Sequence, residues 1–98
     1  MLKKRFLKSK NLVQVTFYTA AALSASEVCL VGDFNDWDET ATPMKALKDG
    51  RFKIVLELDP DSEFQFRYLV NGDEWHNDWE ADQYVPNPHG SDNCVVCT

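Results

Sequence analysis

Two segments of the chain alternate between apolar and polar residues over most of their length, and tight-turn sequences adjoin them. The segments are residues 51–58 and 63–70, and the turns are Asp49-Gly50 and Asn71-Gly72. The apolar positions that share one face are Phe52, Ile54, Leu56 and Leu58 in the first segment, and Phe64, Phe66, Tyr68 and Val70 in the second. A period of two is typical of a strand with one buried face, and Asp-Gly and Asn-Gly favour hairpins. The alternation therefore predicts antiparallel strands.

Shorter segments between turn signals extend this prediction over the chain. We predict further strands at residues 12–19, 28–31, 43–47, 74–76 and 93–97, with 43–47 as a short edge piece. The connections are residues 20–26, 32–42 and 77–91. About seven short strands indicate one all-β domain over residues 1–98, an immunoglobulin-like antiparallel β-sandwich. The Cys…Trp…Cys spacing of antibody domains is absent. The period of two places Arg67 on the outer face of its strand.

Charge is unevenly distributed along this 98-residue chain, whose net charge is −6. The first ten residues contain Lys3, Lys4, Arg5, Lys8 and Lys10, and all 16 Asp and Glu residues follow them. Residues 11–98 are therefore strongly acidic, and they would repel nucleic-acid phosphates. We interpret residues 1–10 as a solvated basic arm with the polar flank of the first strand. A tail that binds nucleic acid or a membrane is the alternative. A (β/α)₈ barrel is excluded because it needs roughly 250 residues.

The N-terminal region also has the outline of a signal peptide, because lysines precede an apolar run at residues 12–23 and small residues follow. Gln14, Thr16 and Tyr18 interrupt that run in the pattern of a strand, which favours the strand. Three cysteines are an odd number, and no Asn-x-Ser/Thr sequon occurs. We therefore expect free thiols and a cytoplasmic protein. Cys94 and Cys97 have redox-motif spacing, but residues three apart on a strand face opposite sides, so we interpret them as structural.

The sequence contains no motif that would support catalysis. G-x-S-x-G, a glycine-rich phosphate loop and H-E-x-x-H are all absent, and no pair of carboxylates can be placed across a cleft. We interpret His76 and His89 as surface histidines. Asp78, Glu80 and Asp82 alternate as metal ligands do, but they lack the glycine and the closing glutamate of a calcium loop, so we expect a solvated loop. We therefore expect no catalytic residue, metal or cofactor.

Three tryptophans fall in polar loops, where large apolar side chains are unusual. They are Trp37, Trp75 and Trp79. An exposed indole offers a flat apolar face and one hydrogen-bond donor, and such rings are common where a surface binds a ligand. A sugar ring has an apolar C–H face and a rim of hydroxyl groups, which suits this combination. The alternative is that the indoles cover the ends of the sandwich.

Several segments follow a known family in order and spacing. They are residues 28–37, 43–44, 50–54, 64–72, 75 and 90–96. They include a G-x-F-N-x-W box that ends at Trp37 and a [FY]-x-[FY]-x-[VL]-x-G hairpin that ends at Gly72. Residues 28–96 therefore resemble the isoamylase-type early-set domain, carbohydrate-binding module family 48. This family includes the amino-terminal domains of branching and debranching enzymes and the glycogen-binding domain of the AMP-activated protein kinase beta subunit.

The resemblance implies a non-catalytic module that binds α-1,4-glucan, either glycogen, starch or a maltooligosaccharide. It places glucose rings on Trp37 and Trp75, a basic contact at Arg67, and hydrogen bonds at Ser91 and Asn93. His89 stands where the family has an apolar residue that nests in the glucan. The resemblance also leaves open a module that has lost sugar binding and docks on a separate glycogen- or starch-metabolising enzyme. It implies no nucleic-acid or membrane partner.

Overall fold

The alternating segments form strands in the structure, a computed structural model that describes residues 1–21 and 25–98. The strands within those residues are β1 Leu2–Leu7, β2 Leu12–Tyr18, β3 Val28–Gly32, β4 Lys45–Ala46, β5 Phe52–Leu58, β6 Glu63–Val70, β7 Glu74–His76, β8 Gln83–Pro86 and β9 Asp92–Cys97. A short 3₁₀ turn, Asp33–Asn35, follows β3. The strands predicted at 12–19, 28–31, 51–58, 63–70, 74–76 and 93–97 are confirmed to within one residue at each end.

The strands form two antiparallel sheets. The first sheet has the order β1-β2-β5-β4, and the second has the order β3-β6-β9-β8, with β7 also paired to β6. The core lies between the sheets and takes residues from both. The prediction of an all-β, immunoglobulin-like sandwich is therefore confirmed.

Aromatic rings join the two sheets and determine which side of β6 faces outward. Phe17 of the first sheet and Phe66 of the second have ring centroids 5.1 Å apart, in an edge-to-face arrangement. Tyr68 packs on Phe66 with a centroid distance of 5.7 Å. Because Phe66 and Tyr68 are both buried in the core, the residues that alternate with them point away from it. Arg67 therefore lies on the outer face of the second sheet, as predicted.

The interpretation of residues 1–10 as an arm is wrong for residues 2–7, which form β1 at the edge of the first sheet. Leu2 packs against the core. Lys3, Lys4 and Arg5 are exposed, so the expectation of solvated side chains is met. An edge strand can carry charges on both faces, and lysines there discourage pairing with other chains. This explains why β1 lacks the alternation that identifies the other strands.

Two smaller predictions also need correction. The region 77–91 was expected to be irregular, but it contains β8, an edge strand paired with β9. β8 ends at Pro86, and proline in a sheet is tolerated mainly at an edge. The edge piece expected at residues 43–47 is reduced to β4, while Pro43 forms an isolated bridge with Cys29. The predicted connection 20–26 lies partly outside the described residues, at positions 22–24.

Asp78 is buried, so the expectation of a solvated loop at Asp78, Glu80 and Asp82 is wrong for its first member. Its carboxylate accepts a hydrogen bond from the Tyr68 hydroxyl at 2.6 Å and from the Glu80 N–H at 2.8 Å. The Met1 amino group lies 2.5 Å from the same carboxylate. The Asp78 carbonyl accepts from the Tyr84 hydroxyl at 2.5 Å. Burial, and then the Asp78 charge, raise the pKa of Tyr68 well above its ordinary value. This network joins the segment after β7 to β6 and β8.

The cysteines are free thiols. Cys94 lies in the core, whereas Cys97 is half-buried on the other face of β9. Burial raises the pKa of Cys94 to about 11. Within residues 1–21 and 25–98, no helix has the length and apolar character that a membrane crossing requires.

Candidate functional site

A groove lies on the outer face of the second sheet. Its cavity volume is about 630 Å³, and it is lined by Trp37, Glu39, Arg67, Trp75, Asn87, Pro88, His89, Ser91 and Asn93. The structure therefore brings together all six residues singled out in the sequence. Glu39, Asn87 and Pro88 are lining residues that the sequence analysis missed. Their nearness in the chain to Trp37 and His89 was the available signal.

The first wall of the groove begins where β3 meets β6. Gly32 is paired with Phe66 at the end of β3. A Cβ atom at Gly32 would lie only 2.5 Å from the Gln65 carbonyl oxygen. Glycine is the residue that permits such a close approach of two backbones. The glycine at the first position of the G-x-F-N-x-W box is therefore required for steric reasons.

The next residues of the box close a turn. Phe34 faces inward, and its ring centroid is 5.8 Å from that of Phe17. The Asn35 side chain accepts a hydrogen bond from the Gly32 N–H at 3.1 Å and donates one to the Leu30 carbonyl at 2.9 Å. These contacts anchor the turn on β3, and the chain leaves it toward the groove.

Trp37 follows this turn in a backbone conformation that bulky residues avoid. Asp36 and Trp37 both have φ of 57°, in the left-handed region where residues other than glycine are uncommon. The indole Nε1 donates to Asp33 Oδ1 at 2.9 Å, and Asp33 Oδ2 accepts from the Gln65 N–H at 2.7 Å. The indole is thus tied to β6 through Asp33. Backbone strain of this kind is concentrated at functional sites.

The Arg67 guanidinium is held on three sides. Its Nε donates to Asn77 Oδ1 at 2.8 Å, and its Nη1 donates to Ser91 Oγ at 3.4 Å. Its central carbon lies 5.8 Å from the Trp75 ring centroid, within range of a cation–π contact. Asn77 is itself fixed, because its Nδ2 donates to the Asp92 carbonyl at 3.0 Å. The sequence analysis also missed Asn77, which holds the Arg67 side chain in place but does not line the groove itself.

Asn87 organises the polar wall of the groove. Its Nδ2 donates to Ser91 Oγ at 3.0 Å and to Asn93 Oδ1 at 3.1 Å. Its Oδ1 accepts from the His89 N–H at 2.9 Å. The Asn93 Nδ2 donates in turn to Gln65 Oε1 at 3.0 Å. The hydroxyl and amide groups of this wall are thus held in fixed directions before any ligand arrives.

The tryptophans do not all belong to the groove. Trp37 and Trp75 line it, and Trp75 is 39% exposed on β7. Trp79 is 52% exposed but lines a separate, smaller cavity with Thr19, His76 and others. Two of the three indoles, the half-buried Trp37 and the exposed Trp75, therefore meet at one place.

The lining defines the chemistry that the groove can accommodate. Two indoles supply flat apolar faces, while Ser91, Asn87 and Asn93 supply neutral donors and acceptors. Arg67 and Glu39 add one charge of each sign, so the groove does not favour a strongly charged ligand. This combination fits a neutral ligand with apolar faces and a polar rim.

Comparison with known proteins supports this reading. Residues 8–85 match the family model of carbohydrate-binding module 48, the isoamylase N-terminal domain. The chain belongs to this family. The module is 34% identical over 73 residues to the 1,4-alpha-glucan branching enzyme GlgB of Aquifex aeolicus (strain VF5), a match that covers 72% of the module. It is 31% identical over 69 residues to GlgB of Butyrivibrio fibrisolvens, a match that covers 70% of the module.

The module spans 11% of the length of each of these branching enzymes. The suspected family is confirmed, and the matched region starts earlier than the predicted 28–96. Trp37, Arg67 and Trp75 lie inside the matched residues, whereas His89, Ser91 and Asn93 lie beyond residue 85.

Proposed function

We propose that this module binds α-1,4-glucan in the groove and carries out no catalysis. The observation that supports the proposal is the convergence of Trp37, Arg67, Trp75, His89, Ser91 and Asn93 on one groove. The family supports carbohydrate binding in general. The names of the two relatives support an α-1,4-linked glucose polymer, such as glycogen or starch, or a maltooligosaccharide.

Each side of the groove has a part in the proposed contact. Glucose rings stack on Trp37 and Trp75, because their C–H faces remove the exposed indole surface from water. Arg67, Ser91 and Asn93 form hydrogen bonds to the sugar hydroxyls. These polar groups are already oriented by one another, so little side-chain entropy is lost on binding. A glucan in the cytoplasm is the ligand that we expect the module to meet.

Two polar lining residues, His89 and Glu39, affect which glucans the groove can bind. His89 is exposed in the loop that precedes β9, and it offers the glucan a polar imidazole rather than an apolar wedge. Glu39 offers carboxylate oxygens that can accept hydrogen bonds from hydroxyl groups. It also repels phosphate groups on a modified glucan. We therefore expect the groove to prefer neutral glucan.

Native affinity electrophoresis in gels with glycogen or amylopectin tests the proposal. We expect the unmodified module to be retarded, and the double variant Trp37→Ala/Trp75→Ala to migrate as it does without polysaccharide. Trp79→Ala is the control, because it removes an exposed indole that lies outside the groove. We expect its retardation to be unchanged.

Two outcomes would contradict the assignment. One is full retention of the folded Trp37→Ala/Trp75→Ala variant. The other is the absence of any retardation of the unmodified module. The second outcome would favour a docking module that has lost sugar binding. Circular dichroism of each variant establishes that it is folded.

A further inference from the structure

The outer face of the first sheet carries a concentration of positive charge. The register pairs Lys3 with Thr16, Arg5 with Gln14, and both Tyr18 and Lys45 with Lys53. Paired residues share a face, and Thr16 and Tyr18 alternate with buried Val15 and Phe17. These cations therefore point away from the core. We call this surface the basic face, defined by Lys3, Arg5, Lys45, Arg51 and Lys53 around Tyr18.

Three of these cations surround one aromatic ring. The Arg51 guanidinium carbon lies 4.9 Å from the centroid of the Tyr18 ring. The Nζ atoms of Lys3 and Lys53 lie at 5.5 Å and 5.9 Å from the same centroid. One ring face cannot neutralise three charges, because it offers only a quadrupole. Lys45 stands directly opposite Lys53 in the register, and like charges in that position destabilise a sheet.

Most of this charge has no counterion within residues 1–21 and 25–98. Arg51 Nε contacts Asp49 at 2.8 Å. Among the described residues, no carboxylate lies within 4.0 Å of the charged groups of Lys3, Arg5, Lys45 or Lys53.

Two other lysines, one on β1 and one in the turn that follows it, are paired. Lys4, on the opposite face of β1, contacts Asp82 at 2.5 Å, and Lys10 contacts Glu57 at 3.0 Å. Glu57 is the carboxylate of β5 on the basic face, beside Gln14. The chain has 16 carboxylates and a net charge of −6, yet this face keeps its positive charge.

We propose that the basic face is a docking surface for a carboxylate-rich surface of a protein partner. The inference goes beyond glucan binding and concerns the sheet opposite the groove. The side chains rise from the face of a sheet, so they match a broad surface rather than a small anion. Val55, which is 42% exposed, pairs with Thr16 near the middle of this face. An apolar centre inside a charged rim is the usual anatomy of a protein interface.

Charge favours an acidic protein over a polyanion. Nucleic acid and anionic membranes act over long distances on the whole module, whose net charge of −6 is repulsive to both. A protein partner can present carboxylates locally to the basic face. In the two relatives, the matching segment is joined to a remainder about eight times longer, because it is 11% of each chain. Modules of this family therefore exist beside large protein surfaces.

A short oligoglutamate peptide, which presents carboxylates locally, is the probe for this inference, used with the full chain at near-physiological salt, where the Debye length is about 8 Å. We expect binding by the unmodified module and loss of binding on addition of salt. The test variant is Lys3→Glu/Lys53→Glu. The matched control is Lys8→Glu/Lys48→Glu, which changes the net charge by the same amount at exposed positions outside the basic face.

We expect the test variant to bind at least about tenfold more weakly and the control to remain within about twofold of the unmodified module. Equal losses in both variants would overturn the inference, because overall charge would then explain binding. Stronger binding of duplex DNA or phosphatidylserine vesicles than of the oligoglutamate peptide would also overturn it. So would self-association of the module that disappears in the test variant, which would make a second copy the occupant.

Two further measurements keep the result interpretable. Lys3→Gln/Lys53→Gln removes the two charges without reversing them, and it replaces the glutamate variant if that variant folds poorly. We expect its loss of binding to be intermediate. Glycogen gel retardation is measured on every variant. We expect it to be unchanged, so that failure of docking and failure of glucan binding are separate outcomes.

Discussion

Trp37 combines a strained backbone with a side chain that lines the groove. An L-residue in the left-handed conformation costs about 1–2 kcal/mol, and Trp37 has φ of 57°. Glycine adopts this conformation without strain. We therefore expect Trp37→Gly to be more stable than Trp37→Ala by about 1 kcal/mol in urea unfolding. Both variants should lose glucan retardation. A Trp37→Ala variant at least as stable as Trp37→Gly would show that the site carries no strain.

Asn77 acts on the groove through Arg67. It accepts from Arg67 Nε at 2.8 Å, so Asn77→Ala frees the guanidinium. A hydrogen bond to a charged group is worth about 1.5–3 kcal/mol. Because the freed guanidinium can still reach the sugar, only part of this is lost, and we expect maltoheptaose affinity to fall roughly two- to tenfold.

The variant Asn77→Asp retains the acceptor for Arg67 but loses the donor to the Asp92 carbonyl, so it should lose less affinity than Asn77→Ala. Calorimetric titration of both variants distinguishes a positioning role from a structural one. Equal losses in Asn77→Ala and Asn77→Asp, or no loss in either, would exclude positioning through the acceptor oxygen.

At the scale of elements, the first residues form the edge strand β1, so their removal should lower the stability of the first sheet. Removal of residues 1–8 exposes the edge of β2, whose backbone groups pair with β1, and also removes Leu2 from the core. We expect a lower thermal midpoint and greater self-association, because an unpaired edge recruits other chains. Scanning calorimetry and sedimentation check this. An unchanged midpoint in a monomeric truncated chain would mean that β1 contributes no stability.

The strand β9 makes Cys94 and Cys97 chemically different. Burial raises the pKa of Cys94 to about 11, so its thiol stays protonated near pH 8. Because the thiolate is the reactive form, we expect iodoacetamide at about pH 8 to leave Cys94 unmodified in the native module. In urea, Cys94 should react. Peptide mass spectrometry measures both, and rapid native labelling of Cys94 would indicate that the core opens readily.

At the scale of the whole molecule, the two sheets present surfaces of different character. The groove is on the second sheet and the basic face is on the first. Stacked rings and a few neutral hydrogen bonds leave modest net affinity after the costs of association. We expect a Kd of roughly 10 μM to 1 mM for maltoheptaose. The affinity should be nearly insensitive to salt, because the ligand is neutral. No response in NMR titration at about 5 mM sugar would contradict the proposed function.

The strands and their inward faces could be predicted from the sequence alone, because alternation is a local property of neighbouring residues. Phe66 and Tyr68 face inward, and Arg67 faces outward, as the period of two requires. The resemblance to a family, rather than periodicity, identified Trp37, Trp75, His89, Ser91 and Asn93 as a set. Trp79 looked equivalent to the other exposed tryptophans in sequence, and only its separate cavity distinguishes it.

The tertiary structure decided the features that depend on long-range pairing. β1 has no alternating pattern, and its role follows only from its place beside β2. Asp78 is buried where the Met1 amino group, 77 residues away in the chain, and the Tyr68 hydroxyl both reach its carboxylate. The basic face exists because antiparallel pairing brings Lys3 and Lys53, fifty residues apart, over the same tyrosine ring. Such contacts depend on the order of the strands in each sheet and on their register, and local sequence patterns specify neither.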